Sequence, residues 1–543
     1  MAGGLDGPLR HVRYLADDAL EGREVGTRGE RCAADYIAGA FAEAGLQPGG
    51  EEGGWFQTFP VRSGSELGTH NLLRAGSSLA LGEDWMPFGF ASTGRVEAAL
   101  VYAGHAVAPA DDPDHPFGGR DLQGRIVVVE DGDPGSPTGR SMAADPHFKA
   151  RMAAERGAAA LLVLLPDGAA LPDPAAENRP AAGIPVAAVR GAAADRVRAL
   201  AESGARAEVM VEVRPRRVEA RNVVGVLPGH DPERMREVIV VGAHYDHLGW
   251  GGEGSLAPGA HAVHNGADDN ASGTAALIEV ARRLASLHAA PERTVVFVAF
   301  TGEERGLWGS GRFVRDPTIP LARAVAMINM DMVGRLRDGR LTVFGTGTAR
   351  EWPELLERLA AERGLTLAMV PDGYGPSDHS SFYGAGIPVL HFFTNTHEDY
   401  HRPTDDWEKI DEEGLRTVAG LVGDVVGRLS YGEVTPTLIE GAGTPTAPAD
   451  PTGEPEAPAE ASRGYGPYFG SIPDMAAGDD VEGVRLTGVR EGSPAAHAGL
   501  RAGDVIVSFG GKPVTDLYAY TYALREHAPG DRVQVVVLRD GER

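Results

Sequence analysis

Near the start of the chain apolar residues recur at spacings of three and four: Leu9, Val12, Leu15 and Leu20, then Ala33, Tyr36, Ile37, Phe41 and Leu46. That period puts each set on one face of a helix, so the spacing predicts two N-terminal helices. From about Arg62 the pattern shortens to strand-length runs divided by glycine. These are Ala98-Ala-Leu-Val-Tyr102, Gly124-Arg-Ile-Val-Val-Val129, Ala159-Ala-Leu-Leu-Val-Leu164 and Ile184-Pro-Val-Ala-Ala-Val189, with a helix expected over 148–156. Over 218–429 such runs alternate with helical periods, including 274–287 and 351–363, the sign of a mainly parallel sheet flanked by helices. Residues 435–461 are dense in Pro, Ala, Glu, Gly and Thr and hold too little apolar surface to offset the cost of ordering, so a linker is expected there. Strand-like runs resume at Val484-Arg-Leu-Thr-Gly-Val489, Asp504-Val-Ile-Val-Ser-Phe509 and Arg532-Val-Gln-Val-Val-Val-Leu538, with a helix over 517–526.

The fold class read from this pattern is α/β, a mainly parallel mixed sheet flanked by helices, interrupted by a small α+β insert and followed by a β domain. The expected boundaries are 1–61 for a helical part that joins the sheet domain, 62–217 for the insert, 218–431 for the sheet domain, 432–463 for the linker and 464–543 for the last domain. A length of 543 residues suits such a division into roughly three or four units. The net charge of −26 argues against nucleic acid or an anionic membrane as partner. The single cysteine, Cys32, excludes an intramolecular disulfide and a thiolate metal site, which leaves imidazole and carboxylate as ligands. No apolar run is long enough to span a membrane. Met1-Ala-Gly-Gly-Leu-Asp-Gly7 has no charged segment leading into an apolar one, so no secretory signal is expected in this chain, and the compartment stays open between cytoplasm and export.

Chemistry enters at the ends of the strands. Val238-Ile-Val-Val-Gly-Ala-His244-Tyr-Asp246, Val295-Val-Phe-Val-Ala-Phe-Thr-Gly-Glu303-Glu304, Ala324-Val-Ala-Met-Ile-Asn-Met-Asp331 and Ile387-Pro-Val-Leu-His-Phe-Phe393 before Tyr400-His401 each place a metal-type side chain just past an apolar run. Asp269, in Gly266-Ala-Asp-Asp-Asn-Ala-Ser-Gly273, sits where a loop turns into the helix 274–287. Open α/β sheets bind ligands at the carboxyl ends of their strands. A workable allocation gives one divalent ion His244 and Asp331, the other Glu304 and His401, with Asp269 bridging both and a shared water between them. Glu303 is then free to act as general base, taking the proton of that water and passing it to the leaving amine. Asp246 and Asp405 are candidates for orienting the imidazoles of His244 and His401. Taken singly, these residues have blander readings: Asp269 as a helix cap, Glu303 and Glu304 as a solvated first helical turn. His261, His264, His391 and His397 are read as loop or pocket-wall residues and not as ligands.

At these positions the chain resembles the co-catalytic dizinc exopeptidases, a family that includes leucyl-type aminopeptidases, glutamate carboxypeptidases and the catalytically silent transferrin receptor. The resemblance rests on Gly242-Ala-His-Tyr-Asp-His247, Gly266-Ala-Asp-Asp-Asn-Ala-Ser-Gly273, Phe300-Thr-Gly-Glu-Glu304, Asn329-Met-Asp331, Ser377-Asp-His379 and Tyr400-His-Arg-Pro-Thr-Asp405. Within the pair Asp268-Asp269 it selects Asp269 as the bridge. Leu20-Glu-Gly-Arg-Glu-Val-Gly-Thr27 is similar to the N-terminal piece of members that carry an inserted protease-associated domain, and the runs at 124–129 and 184–189 resemble that insert. The last domain resembles a bacterial protease-type PDZ domain, through Tyr468-Phe-Gly-Ser-Ile472 and Gly492-Ser-Pro-Ala-Ala-His-Ala-Gly-Leu-Arg-Ala-Gly-Asp-Val-Ile506. A further strand is usual after the turn at Leu538-Arg-Asp-Gly541, whereas this chain runs to Arg543; a packing role for the domain stands beside binding of a peptide C-terminus.

The resemblance implies two Zn²⁺ per chain and a zinc exopeptidase acting on peptides, with aminopeptidase preferred. Its rivals are a dizinc carboxypeptidase, a single-zinc glutaminyl-cyclase-like enzyme and a non-catalytic adaptor.

Overall fold

The computed structural model describes residues 7–107, 117–135, 141–252, 254–257, 259–439, 467–474, 481–490, 492–539 and 541–543. Two units emerge: Met1–Phe59 together with Glu219–Arg543, and Pro60–Val218.

Strand Val238–His244 lies at the heart of the first unit because every residue in it is buried, a continuous Val/Ile run of the kind that suits a strand covered on both faces. It pairs in parallel with Thr294–Phe300 on one side and with Ala324–Met330 on the other, and Ala324–Met330 pairs in parallel with Val389–Phe393. The sheet turns antiparallel outside this block, where Val223 to Leu227 run against Thr294–Phe300 and Arg340–Phe344 runs against Val389–Phe393. Alternate side chains serve two cores. Ile239, Val241, Phe297, Ala299 and Ile328 share one with residues of Pro8–Leu15, Arg28–Glu43, Gly273–Ala285 and Glu412–Ser430. Val240, Val296, Val298, Phe300 and Met327 share the other with Phe313 and Phe382. The three phenylalanine rings there have centroids 5.9 to 6.3 Å apart, and each ring contributes about 1.5–3 kcal/mol by burial.

In the unit Pro60–Val218, Ile126–Glu130 pairs in parallel with both Gly94–Tyr102 and Ala160–Leu164, which in turn pairs with Val186–Val189. Its helix Pro146–Glu155 starts before the apolar period does, because Pro146 supplies a first-turn proline and Asp145 accepts a hydrogen bond from the His147 N–H.

Residues through Ile439 stay tied to the sheet domain: Arg293 donates to the carbonyls of Leu429 and Val434, and Thr437 to Glu351. Residues 440–466, where most of the expected linker falls, lie outside the described residues. After them, Ser471–Pro473, Val484–Val489, Val505–Phe509, Lys512–Pro513 and Val535–Leu538 form a small sheet beside the helix Leu517–Arg525. Leu486, Ile506, Phe509 and Tyr520 are at its core. Among the described residues no helix is long and apolar enough to cross a membrane.

Candidate metal centre

Parallel pairing brings the carboxyl ends of Val238–His244, Thr294–Phe300, Ala324–Met330 and Val389–Phe393 to one edge, where the sheet hands over to loops. His244 closes the first strand, Glu303 and Glu304 follow the second, and Asp331 follows the third. Asp269 lies in the irregular turn Ala267–Ser272 that leads into Gly273–Ala285.

These side chains converge. His244 Nε2 stands 3.4 Å from Asp269 Oδ1 and 3.3 Å from Asp331 Oδ1. His401 Nε2 stands 3.2 Å from Asp269 Oδ2 and 3.2 Å from Glu304 Oε2. Asp269 therefore offers one oxygen to each imidazole. Nitrogen and oxygen donors held about 2.0–2.2 Å from a tetrahedral cation stand roughly 3.3–3.6 Å from one another, so the observed spacings fit an ion within each set. Asp331 Oδ1 has no hydrogen-bond partner although it is buried, while Asp331 Oδ2 accepts from Ser377 Oγ at 2.8 Å. A buried carboxylate oxygen without a hydrogen-bond donor is left to a cation or a proton, and this one faces His244 Nε2.

Glu303 Oε2 lies 4.0 Å from His244 Nε2, beside the cluster. Its backbone N–H donates to Asp246 Oδ1 at 3.1 Å. Asp246 Oδ1 also stands 3.6 Å from His244 Nδ1, whose nearer neighbour is the Asp246 carbonyl oxygen at 3.3 Å. Asp246 thus braces both His244 and the turn that carries Glu303.

Asp405 does something other than the expected orientation of His401. Its Oδ2 accepts from the backbone N–H groups of Asp268 and Asp269, at 2.9 and 3.1 Å, and its Oδ1 faces Arg335 at 3.3 Å. The ring of His401 is turned instead toward the carbonyl of Gly254, 2.9 Å from Nδ1. Four residues after His401, Asp405 is engaged instead by the Asp268-Asp269 turn and by Arg335.

His247 has a contact that the strand-end pattern does not foretell. Its Nδ1 lies 2.6 Å from Glu304 Oε1, and with Asp269 and Glu304 it forms a second set of donor atoms within 4.8 Å of one another. The available signal was its place three residues after His244 on the same loop. The histidines read as non-ligands have other partners. His391 approaches Asn329 and stacks on His379, His397 faces Asp268, His264 lies between Ser255 and Ala262, and His261 stacks on Trp250.

The cluster's electrostatics are lopsided toward negative charge. Burial alone would lower the pKa of His401, but the carboxylates of Asp269 and Glu304 outweigh it and push it up to about 11. Burial likewise opposes protonation of His244, and Asp331 and Glu303 overcome it, leaving its pKa well above the ordinary value. Burial and Asp269 work to raise Glu304, yet His247 and His401 hold it at about 2. Glu303 goes the other way: burial lifts it well above the carboxylate range, His244 opposes, and Asp331, Glu304 and Asp378 add to the rise. Their surroundings thus push the pKa values of the two adjacent glutamates in opposite directions.

Residues 222–426 match Peptidase family M28, and residues 463–543 match the PDZ domain. Aminopeptidase YwaD of Bacillus subtilis strain 168 is 30% identical over 233 residues, covering 41% of this chain and 47% of that protein. A probable leucine aminopeptidase of Trichophyton verrucosum is 29% identical over 230 residues, covering 40% and 57%. The chain spans about half the length of these curated relatives. In fold it is similar to the solved structure of BSAP, a zinc aminopeptidase from Bacillus subtilis, with a TM-score of 0.50 and 22% identity over 78% of this chain and 95% of that one. The segment that supplies every residue of the cluster, 222–426, belongs to peptidase family M28, and a PDZ domain follows it at 463–543.

Proposed function

We propose that this protein is a zinc-dependent aminopeptidase that holds two zinc ions per chain and removes N-terminal residues from peptides. The observation that carries the reading is the sharing of Asp269, one oxygen toward His244 and the other toward His401. His244 and Asp331 would hold one ion, Glu304 and His401 the other, and Asp269 both; mixed imidazole and carboxylate donors suit zinc. Bound there, the ions would polarise the scissile carbonyl and make a water acidic enough to attack it near neutral pH.

The protein's own groups do the rest. Glu303, 4.0 Å from His244 Nε2, accepts the proton of the attacking water and returns it to the departing amine. Asp246 fixes the backbone of Glu303 and the ring of His244 together, so base and ligand keep their separation. The acidic surroundings favour a substrate's α-ammonium. A carboxypeptidase would need an arginine or lysine for the terminal carboxylate. Arg23, Arg305 and Arg335, which flank the cluster in the fold, are committed to protein carbonyls or to Glu24, Asp399 and Asp405.

Two further roles belong to this reading. The unit Pro60–Val218 is read as a protease-associated insert. The face of the terminal β domain where Ser471 Oγ meets Tyr520 OH at 2.6 Å is read as the seat of a peptide C-terminus.

A panel of free and N-acetylated peptides, assayed with and without a chelator, tests the proposal. Free peptides should be cleaved from the amino end, blocked ones should survive, and chelation should abolish turnover. Equal cleavage of blocked and free peptides would rule out an aminopeptidase and favour the carboxypeptidase reading. One zinc per chain in the active protein would favour the single-zinc alternative.

A further inference from the structure

The segment Leu20-Glu-Gly-Arg23 has no part in the chemistry above, yet it reaches the cluster's foundations. Glu21, Gly22 and Arg23 are all left-handed, with φ of 48°, 67° and 50°. Glycine is required at the middle position: a Cβ on Gly22 would lie 2.4 Å from the carbonyl oxygen of Gly249 and 2.5 Å from that of His264. The tight turn docks by its backbone, accepting from the His247 N–H at Arg23 O and from the Gly249 N–H at Gly22 O, at 3.3 and 3.1 Å.

Docked this way, the Arg23 side chain is fully buried. Its Nε donates to the Tyr245 carbonyl at 2.7 Å, Nη1 to the carbonyls of Asn265 at 2.7 Å and of Leu15, and Nη2 to the Gly266 carbonyl at 3.0 Å. Tyr245 is the residue after His244, and Gly266 lies three before Asp269. A single rigid fork therefore spans the two loops that deliver those side chains. Four of the five N–H groups of a guanidinium are used, in a planar array that a lysine ammonium cannot reproduce.

We propose that Arg23 is a positioning residue of the metal centre, setting the separation between the His244 loop and the Asp269 loop from beneath; the inference rests on the reading of the cluster as a zinc site. Its positive charge adds to this function. Burial lowers its pKa to about 10, and Asp246, Asp269, Asp405 and Glu304 oppose that loss, so the guanidinium stays charged at neutral pH among carboxylates that repel one another.

The test is zinc affinity, measured by competition with a chromogenic chelator on wild type, Arg23→Lys and Arg23→Met, with thermal melting of the metal-free proteins alongside. Arg23→Lys keeps the charge and loses the fork. It should bind zinc about 10–100-fold more weakly than wild type, the range found when groups supporting metal ligands are removed, and Arg23→Met more weakly still. If Arg23→Lys binds zinc as tightly as wild type, whatever happens to its melting temperature, Arg23 is a structural staple and the inference fails. If the variants fold only with zinc, refolding is titrated with the ion. Recovery at concentrations raised by the same factor upholds the role, and failure to fold at any concentration overturns it. Wild-type protein that takes up no zinc sinks the metal reading and this inference with it. Zinc-loaded wild type beside an unimpaired Arg23→Lys sinks this inference alone.

Discussion

Glu303 and Glu304 are adjacent in the chain but differently placed, Glu304 3.2 Å from His401 Nε2 and Glu303 4.0 Å from His244 Nε2, which gives the sharpest prediction at the scale of single residues. Exchanging Glu303 for Gln should lower kcat by about 10²–10⁴ while the zinc content of the purified protein is unchanged. Loss of zinc along with activity would make Glu303 a ligand and leave the base unassigned. The placement of the candidate residues was legible where a side chain directly follows a buried strand. The all-apolar run before His244 fixes it at the strand's carboxyl end, and Asp331 follows its own run at once. The contacts of Asp405 and Arg23 escaped the same reading for a physical reason. Asp405 meets Asp268 and Asp269, and Arg23 meets Tyr245 and Gly266, across more than a hundred residues of chain, and no local pattern encodes such approaches.

Among the elements, the helix Arg28–Glu43 shows how polar residues lock apolar layers into register. Its first turn is capped by Thr27 and presents Glu30, fully buried, whose Oε1 accepts from Tyr245 OH at 2.7 Å and Thr301 Oγ1 at 3.2 Å, while Oε2 has no partner. The helix period was plain in the sequence, but the glutamate inside it was not, because an acidic residue at that position reads as a first-turn charge facing solvent. Burial raises the Glu30 pKa from the ordinary 4.5 to about 7, against the hydrogen bonds from Tyr245 and Thr301. The fold therefore binds this proton more tightly than the unfolded chain does. Its contribution to stability is greatest below about pH 4.5 and falls as pH rises toward about 7, by roughly 3 kcal/mol in all. In Glu30→Gln that part of the fall should vanish. Denaturant midpoints of wild type and variant at about pH 5 and about pH 8 measure it, and parallel pH dependence in the two would place the proton elsewhere.

At the scale of the whole molecule, the PDZ domain and the sheet domain share a close contact within the first unit. The strand Val484–Val489 lies against the helix His379–Gly384, Arg490 pairs with Asp372, and Tyr374 OH packs on Gly488, where a Cβ would sit only 2.0 Å from it. Gly488→Val should push the two surfaces apart. Calorimetry of this variant is expected to separate one transition into two, with the PDZ domain melting on its own. An unsplit transition at the wild-type temperature would mean that the contact adds nothing to cohesion. The partition into sheet domain and terminal β domain could be read from the change in apolar period. This contact could not, since a glycine that permits close approach looks in sequence like any turn glycine.

The residues of the proposed centre are scattered from His244 to His401 and meet only where neighbouring strands end together. Contacts so distant along the chain form late, once the intervening loops have closed. A polypeptide still leaving the ribosome would hold the parts of the proposed centre without the centre. Any chemistry of the proposed centre would therefore arrive only with the finished sheet.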